Sequence, residues 1–179
     1  MSRIQSFPPI AEPDARVLIL GSMPGAASLR AGEYYAHPRN HFWPLLGTLA
    51  GFAPTLPYAA RVQALKAAGI AVWDVLHSCK REGSLDVMIE RDSALANDFA
   101  SFFARHTAVT QVYFNGSAAE QIYRRAVLPR LNLPQLAYSR LPSTSPANAS
   151  YSFARKLDAW QAMSAHLLQP AASHLSTTL

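Results

Sequence analysis

The run Val17-Leu18-Ile19-Leu20, followed at once by Gly21-Ser22-Met23-Pro24-Gly25, sets the strictest limit on how this chain can fold. Consecutive apolar residues, partly β-branched, suit a strand buried on both faces, the setting of an interior strand in a parallel sheet. The residues after it turn the backbone sharply and leave it open to close approach by another group. Ligands in open α/β folds bind at the carboxyl ends of such strands, so a site is expected at this turn. Further along, Tyr34-Tyr35-Ala36-His37-Pro38-Arg39-Asn40-His41-Phe42-Trp43 supplies stacking surface and amide groups, as a pocket for a flat heterocycle requires.

A parallel strand needs crossover partners, and the rest of the chain offers them. Apolar, strand-like runs fall at 16–20, 70–76, 109–114 and 136–141. Between them, helical spacing of apolar residues predicts helices over 40–50, 58–68, 94–106 (capped by Asp92 or Ser93), 117–127 and 150–168. Residues 1–15 read as an irregular lead-in, and 77–86 as a polar loop. The alternation predicts an α/β fold, a three-layer αβα sandwich around a central, mainly parallel sheet of four strands. One domain over 1–168 with a disordered tail at 169–179 is expected, since 179 residues bury a normal core. Three strand ends, at 21–25, 115–116 and 142–148, carry clusters of Gly, Asn, Ser and Pro, so one rim of the sheet gathers them.

Composition narrows the chemistry. The net charge is +5, and 13 of the 16 basic residues are Arg, which favours a phosphate-bearing partner. The single cysteine, Cys79, excludes a disulfide within the chain and a thiolate metal cluster. No signal-like or bilayer-length apolar run occurs, so a soluble, cytoplasmic protein with no membrane association is expected. Ser22 is not in a nucleophile elbow, and no convincing Asp and His follow it for a triad. His37 and His41 are four apart, but Pro38 breaks the helical spacing a metal pair would use. Phosphate-loop and dinucleotide glycine motifs are absent, so neither metal nor cofactor is expected.

The same residues fit a base-binding pocket. Tyr35 offers a stacking face, while Asn40 and Asn115 each donate and accept, matching the mixed edge of a nucleobase. The Ser- and Thr-rich segment Ser143-Thr144-Ser145-Pro146-Ala147-Asn148 leads toward a helix N-terminus and suits phosphate. Arg39, Arg81, Arg140 and Arg155 are candidate phosphate contacts. A plainer alternative stays open for each: Tyr34, Tyr35, Phe42 and Trp43 as core, Asn115-Gly116 as an ordinary turn, the arginines as solvated surface.

Gly21-Ser22-Met23-Pro24-Gly25, Tyr35-Ala36-His37-Pro38-Arg39-Asn40-His41-Phe42-Trp43 and Leu141-Pro142-Ser143-Thr144-Ser145-Pro146-Ala147-Asn148 closely resemble the uracil-DNA glycosylase superfamily. The likeness extends over about residues 8–168. It is strongest to the hypoxanthine (deoxyinosine) DNA glycosylases, whose group also carries segments like Trp73-Asp74-Val75 and Arg81-Glu82-Gly83-Ser84-Leu85-Asp86, and extends to the mismatch-specific uracil/thymine branch. The resemblance implies a monofunctional enzyme that flips a deaminated base, hypoxanthine first, out of DNA and hydrolyses its N-glycosidic bond without metal or cofactor.

In the mismatch-specific branch an Asn in the first motif positions the attacking water; here Met23 stands there, and a thioether cannot orient water. The resemblance therefore points to Asn40 and Asn115 as the catalytic pair. On the chemistry alone no carboxylate is then required as a strong base, and Asp74 and Asp86 are candidates to assist. The resemblance implies a base pocket formed by Gly21, Ser22, Met23, Pro24, Tyr35, His37 and Phe42. DNA contacts are implied at Arg39, the 143–148 loop and Arg155. A monomer acting on DNA is expected. The alternatives are a uracil/thymine mismatch-type glycosylase and a catalytically weak lesion-binding module.

Overall fold

A computed structural model describes residues 3–168. In chain order the elements are β1 (Arg3–Gln5), β2 (Val17–Gly21), α1 (Ala26–Ala31), α2 (Phe42–Ala50), α3 (Tyr58–Ala67), β3 (Ile70–Asp74) and β4 (Leu76–Lys80). After these come β5 (Leu95–Ala96), α4 (Phe99–Arg105), β6 (Gln111–Asn115), α5 (Ser117–Ala126), β7 (Ala137–Leu141) and α6 (Phe153–Trp160).

The central sheet has four strands in the order β3-β2-β6-β7, and every pair in it is parallel. All of β2 is buried, as its unbroken apolar run predicts. Successive side chains alternate faces, which divides the core in two. Val17, Ile19, Ile70, Val72 and Tyr113 face α2, α3 and α6, where Phe42, Leu45, Leu65 and Trp160 cover them. Leu18, Leu20, Trp73, Val112 and Phe114 face α4 and α5, covered by Phe99, Phe102 and Tyr123. Each fully buried Leu or Ile contributes roughly 1.5–3 kcal/mol, so the sheet is clamped from both sides. These are the three layers expected from the sequence.

Several boundaries differ, each for a local reason. The lead-in is partly regular, because Arg3–Gln5 pairs antiparallel with β4 in a second, three-stranded sheet β1-β4-β5. The strand expected over 70–76 stops at Asp74, where the Val75 and Leu76 N–H groups donate to the Gly21 and Ser22 carbonyls at 2.8 and 3.1 Å. The chain then enters β4, which takes up the start of the expected polar loop. The helix expected from residue 94 begins at Phe99. Its cap is Asp98, which accepts from Ser101 N–H at 3.0 Å, and 95–96 form β5 instead. The last helix runs from Phe153 to Trp160, capped by Ser152, and tightens into a 3-10 turn over Gln161–His166. The short helix α1 was not expected. The tail at 169–179 lies outside the described residues. Among those residues no helix is long and apolar enough to cross a membrane.

Candidate active site

The carboxyl ends of all four parallel strands open onto one cavity of about 160 Å³. Gly21 ends β2, Asp74 ends β3, Asn115 ends β6, and Ser143, Thr144, Ser145 and Pro146 follow β7; all line the cavity, together with Ser22, Met23, Pro24, Tyr35, His37 and Asn40. Parallel strands in register necessarily finish on one edge, which is how segments far apart in sequence meet.

The turn after β2 is fixed from the side by the 81–86 loop. Ser22 Oγ donates to Asp86 Oδ1 at 2.6 Å, Ala26 N–H donates to Ser84 Oγ at 2.9 Å, and the Arg81 guanidinium donates to the Pro24 and Gly83 carbonyls. Arg81 is thus buried behind the Pro24 turn, and the phosphate contact expected of it is corrected: its charge holds main chain. A Cβ at Gly21 would lie 2.5 Å from Asp74 Oδ1 and 3.0 Å from the Tyr35 hydroxyl, so only glycine leaves room for both. Met23 is buried against Leu76 and Cys79 in a small apolar cluster.

Tyr35 is the one non-glycine residue with positive φ among the described residues, at 55°. That conformation costs roughly 1–2 kcal/mol, and such strain gathers at functional sites. The ring lies on Phe42, centroids 3.9 Å apart and planes at 16°. Phe42 is wholly buried and does not line the cavity; its expected place in the base pocket is corrected to that of a support behind Tyr35. Tyr34 and Trp43 are core, the Trp43 indole donating to the Tyr34 carbonyl at 2.9 Å. Ser28, overlooked in the sequence, accepts from Ala36 N–H at 3.0 Å and anchors the loop that carries Tyr35 and His37.

Asn40 Oδ1 accepts from Phe42 N–H at 3.0 Å, bridging the cavity to the start of α2. Asn115 is committed differently: its Nδ2 donates to Thr144 Oγ1 and its Oδ1 accepts from Thr144 N–H, both at 2.9 Å. Thr144 is wholly buried, so its expected DNA contact is corrected to a tether for the loop. His41 N–H donates to the Thr144 carbonyl at 3.0 Å, joining this loop to α2.

Ser143, Ser145 and Asn148 shape the same loop through local bonds, including Asn148 Nδ2 to the Ser143 carbonyl at 3.1 Å, and Ala147 is exposed. Beneath it Lys156, buried and overlooked in the sequence, reaches the Ser145 carbonyl at 3.4 Å; burial lowers its pKa. A second, more open concavity of about 590 Å³ runs outward past Arg140, Ser143, Asn148 and Tyr151. Arg155, exposed, lies over the Tyr151 ring at 4.3 Å, whereas Arg140 is paired with Glu120 at 3.4 Å. Arg39 is exposed beside the cavity mouth residues His37 and Asn40.

Two carboxyl groups face the cavity. Asp74 is buried, and among the described residues its Oδ2 has no hydrogen-bond partner. Burial above all, and then the neighbouring Asp86 charge, push its pKa up to about 7 against the pull of Arg81. Asp86 is also raised by burial, with the Ser22 hydrogen bond and Arg81 opposing the rise. The Tyr35 hydroxyl is buried without a hydrogen bond of normal geometry, and burial with the Asp74 charge keeps it protonated. The cavity therefore combines a flat aromatic wall, amide groups, and a carboxyl able to hold a proton near neutral pH. Such a lining suits a flat, polar-edged ring.

A family model described as the uracil DNA glycosylase superfamily matches residues 8–166. A hypoxanthine DNA glycosylase of Methanosarcina acetivorans is 32% identical over 163 residues, covering 90% of this chain and 98% of the relative. A hypoxanthine DNA glycosylase of Methanosarcina barkeri is 40% identical over 113 residues, 63% of this chain and 70% of the relative. A solution NMR structure of a protein provisionally named a uracil DNA glycosylase, from M. acetivorans, superposes with a TM-score of 0.77 at 32% identity. The match covers 92% of this chain and 98% of that one.

Proposed function

Because this chain belongs to the uracil DNA glycosylase superfamily, we propose that it excises a deaminated base, hypoxanthine foremost, from DNA and leaves an abasic site. The observation that carries this reading is the cavity at the ends of all four parallel strands, closed on one side by the Tyr35 ring. A base inside a duplex cannot reach such a recess, so it must be extruded. Extrusion costs a few kcal/mol, less for a mispaired or deaminated base, which biases selection toward lesions.

Tyr35 stacks on the flipped ring, with Gly21, Ser22, Met23 and Pro24 as the floor and His37 at the rim. Hydrolysis then adds the oxygen of water to the anomeric carbon as the C–N bond breaks. The bonding pair passes to the base, which takes up the water's proton. Asn40, its oxygen held by the α2 backbone, orients that water through its remaining hydrogen-bonding capacity. Met23 has no such capacity, so water positioning falls to Asn40.

Asn115, expected as the second member of the catalytic pair, is reassigned to a tether: with Thr144 it holds the 143–148 loop over the cavity, and Ser143, Ser145, Pro146, Ala147 and Asn148 meet the DNA backbone. Arg39 and Arg155 contribute phosphate contacts. The protein works as a monomer, one catalytic domain over residues 1–168, on chromosomal DNA in the cytoplasm, without metal or cofactor. Single-turnover assays on oligonucleotides carrying hypoxanthine, uracil, xanthine or ethenocytosine test this. Abasic product, fastest from hypoxanthine, is expected; binding without product from any of the four overturns the enzyme reading.

A further inference from the structure

We infer that Asp74 is a further catalytic residue, a neutral acid whose O–H donates a hydrogen bond to the carbonyl oxygen of the departing base. This rests on the glycosylase reading. The placement comes first: Asp74 ends β3 at the closed end of the cavity, beside Gly21, and Gly21 has no Cβ that would collide with the carboxyl. Its Oδ2 is buried with no partner among the described residues, although buried polar atoms are nearly always hydrogen-bonded. The Tyr35 hydroxyl is buried beside the same glycine, with the Asn115 side chain next to it. An orphaned carboxyl oxygen on a residue that lines the cavity marks a place where a polar ligand edge completes the bonding.

Burial, and after it the Asp86 charge, favours a proton on Asp74, against the opposing charge of Arg81. Tyr34 and Tyr35 approach from the loop before α2, and Asp86 and Arg81 from the loop after β4. Arg81 donates through Nε and Nη2 to the Gly83 and Pro24 carbonyls, and its buried Nη1, without a hydrogen bond among the described residues, lies 4.0 Å from Asp86 Oδ1. The Ser22 hydroxyl at 2.6 Å and the Arg81 charge work against the rise that burial causes at Asp86, whereas Asp74 Oδ2 has no hydrogen bond to oppose its own, so of the two Asp74 is the better placed to keep the proton. The acid then sits where a donor is useful. As the C–N bond breaks, electron density passes into the ring and onto its carbonyl oxygen, and a fixed O–H there stabilises the leaving group. An ionised carboxylate in that place would repel the same charge. Hypoxanthine, uracil and xanthine all present a ring N–H beside a carbonyl, so the acid can also accept from that N–H. Asp74 donates a hydrogen bond throughout; the proton that ends on the base comes from water.

The test is the pH dependence of single-turnover cleavage of hypoxanthine-containing DNA, for wild type, Asp74→Asn and Asp74→Ala. Asparagine keeps a donor and an acceptor in nearly the same shape and cannot ionise. Wild-type cleavage is expected to fall at least tenfold as pH rises from 6 to 8.5. Asp74→Asn is expected to stay within about fivefold of the wild-type rate at pH 6 and to lose the alkaline fall. Asp74→Ala should be at least tenfold slower at pH 6 with lesion-DNA affinity retained, and far-UV circular dichroism checks its fold. A wild-type rate that rises with pH, an alkaline fall that persists in Asp74→Asn, or an Asp74→Asn as slow as Asp74→Ala overturns the assignment. A wild type that releases no base overturns the glycosylase reading with it, whereas an active wild type matched by Asp74→Ala overturns this inference alone.

Discussion

Asn115 and Thr144 exchange two hydrogen bonds of 2.9 Å, side chain to side chain and backbone to side chain, so the end of β6 holds the loop that follows β7. Each end of the amide gives one bond to this exchange. Asn115→Ala should therefore affect binding and chemistry together: single-turnover cleavage more than tenfold slower and lesion-DNA affinity several-fold weaker. Stability should fall by roughly 2 kcal/mol, because Thr144 is left with unmet buried groups. Fluorescence anisotropy and quenched-flow cleavage on one substrate check it; affinity that stays at the wild-type level refutes the tether.

Asn40 allows the opposite separation. Asn40→Ala should slow cleavage more than tenfold and leave DNA affinity nearly unchanged, while losing about 1 kcal/mol of stability with the bond to Phe42 N–H. Asn40→Ser, which keeps a hydroxyl for that N–H, should recover much of the stability and little of the rate. Thermal melts beside rate measurements decide between an anchoring and a catalytic role.

At position 35 the ring and the hydroxyl make separate contributions. Tyr35→Phe removes a buried hydroxyl with no hydrogen bond of normal geometry and keeps the stack on Phe42, so cleavage within about threefold of wild type and stability within about 1 kcal/mol of it are expected. Tyr35→Ala removes the stacking face and should lower cleavage at least tenfold. Equal rates for the two variants would remove the stacking role.

Gly21→Ala probes the crowding at the closed end of the cavity. The new methyl would stand 2.5 Å from Asp74 Oδ1 and 3.0 Å from the Tyr35 hydroxyl, so both must move. Cleavage should drop at least tenfold in a protein that still unfolds cooperatively. A fully active Gly21→Ala would mean that neither group needs its present position.

Asp74 also ties stability to pH. Its folded pKa of about 7 lies above the ordinary value, so the unfolded chain gives up this proton more readily than the native one. Stability is lost as pH rises from about 4 to about 7 and is level above that, by a few kcal/mol at about 1.4 kcal/mol per unit. Asp74→Asn removes the penalty. Its melting temperature should match wild type at pH 4 and exceed it at pH 8; a gap of constant size at both pH values would refute the linkage.

The sequence carried the layers and the rim more clearly than the contacts. Val17 to Leu20 is apolar at every position, so burial on both faces, and hence a parallel sheet, could be read directly. Asn40 and Asn115 stood at predicted element boundaries, and the cavity brings both to its lining. What could not be read were pairings across long stretches of chain. Ser22 meets Asp86 and Arg81 meets Pro24 only because β3 stops at Asp74 and β4 carries the chain back along β1. Nothing local in Arg81 marks it as buried, and an exposed Arg would read the same. Phe42 and Tyr35 are equally aromatic in the sequence; the positive φ at Tyr35 decides which one faces the cavity.

Each strand of the central sheet spans five residues; β2, β3 and β6 end on the cavity-lining Gly21, Asp74 and Asn115, and β7 leads into Ser143 two residues on. Removing one residue from any of them would draw that group back by roughly 3.3 Å and turn its side chain to the opposite layer. The chemistry is thus set by counting along the strands. Replacements short of those terminal residues disturb packing alone, whereas a change in their number dismantles the meeting point itself.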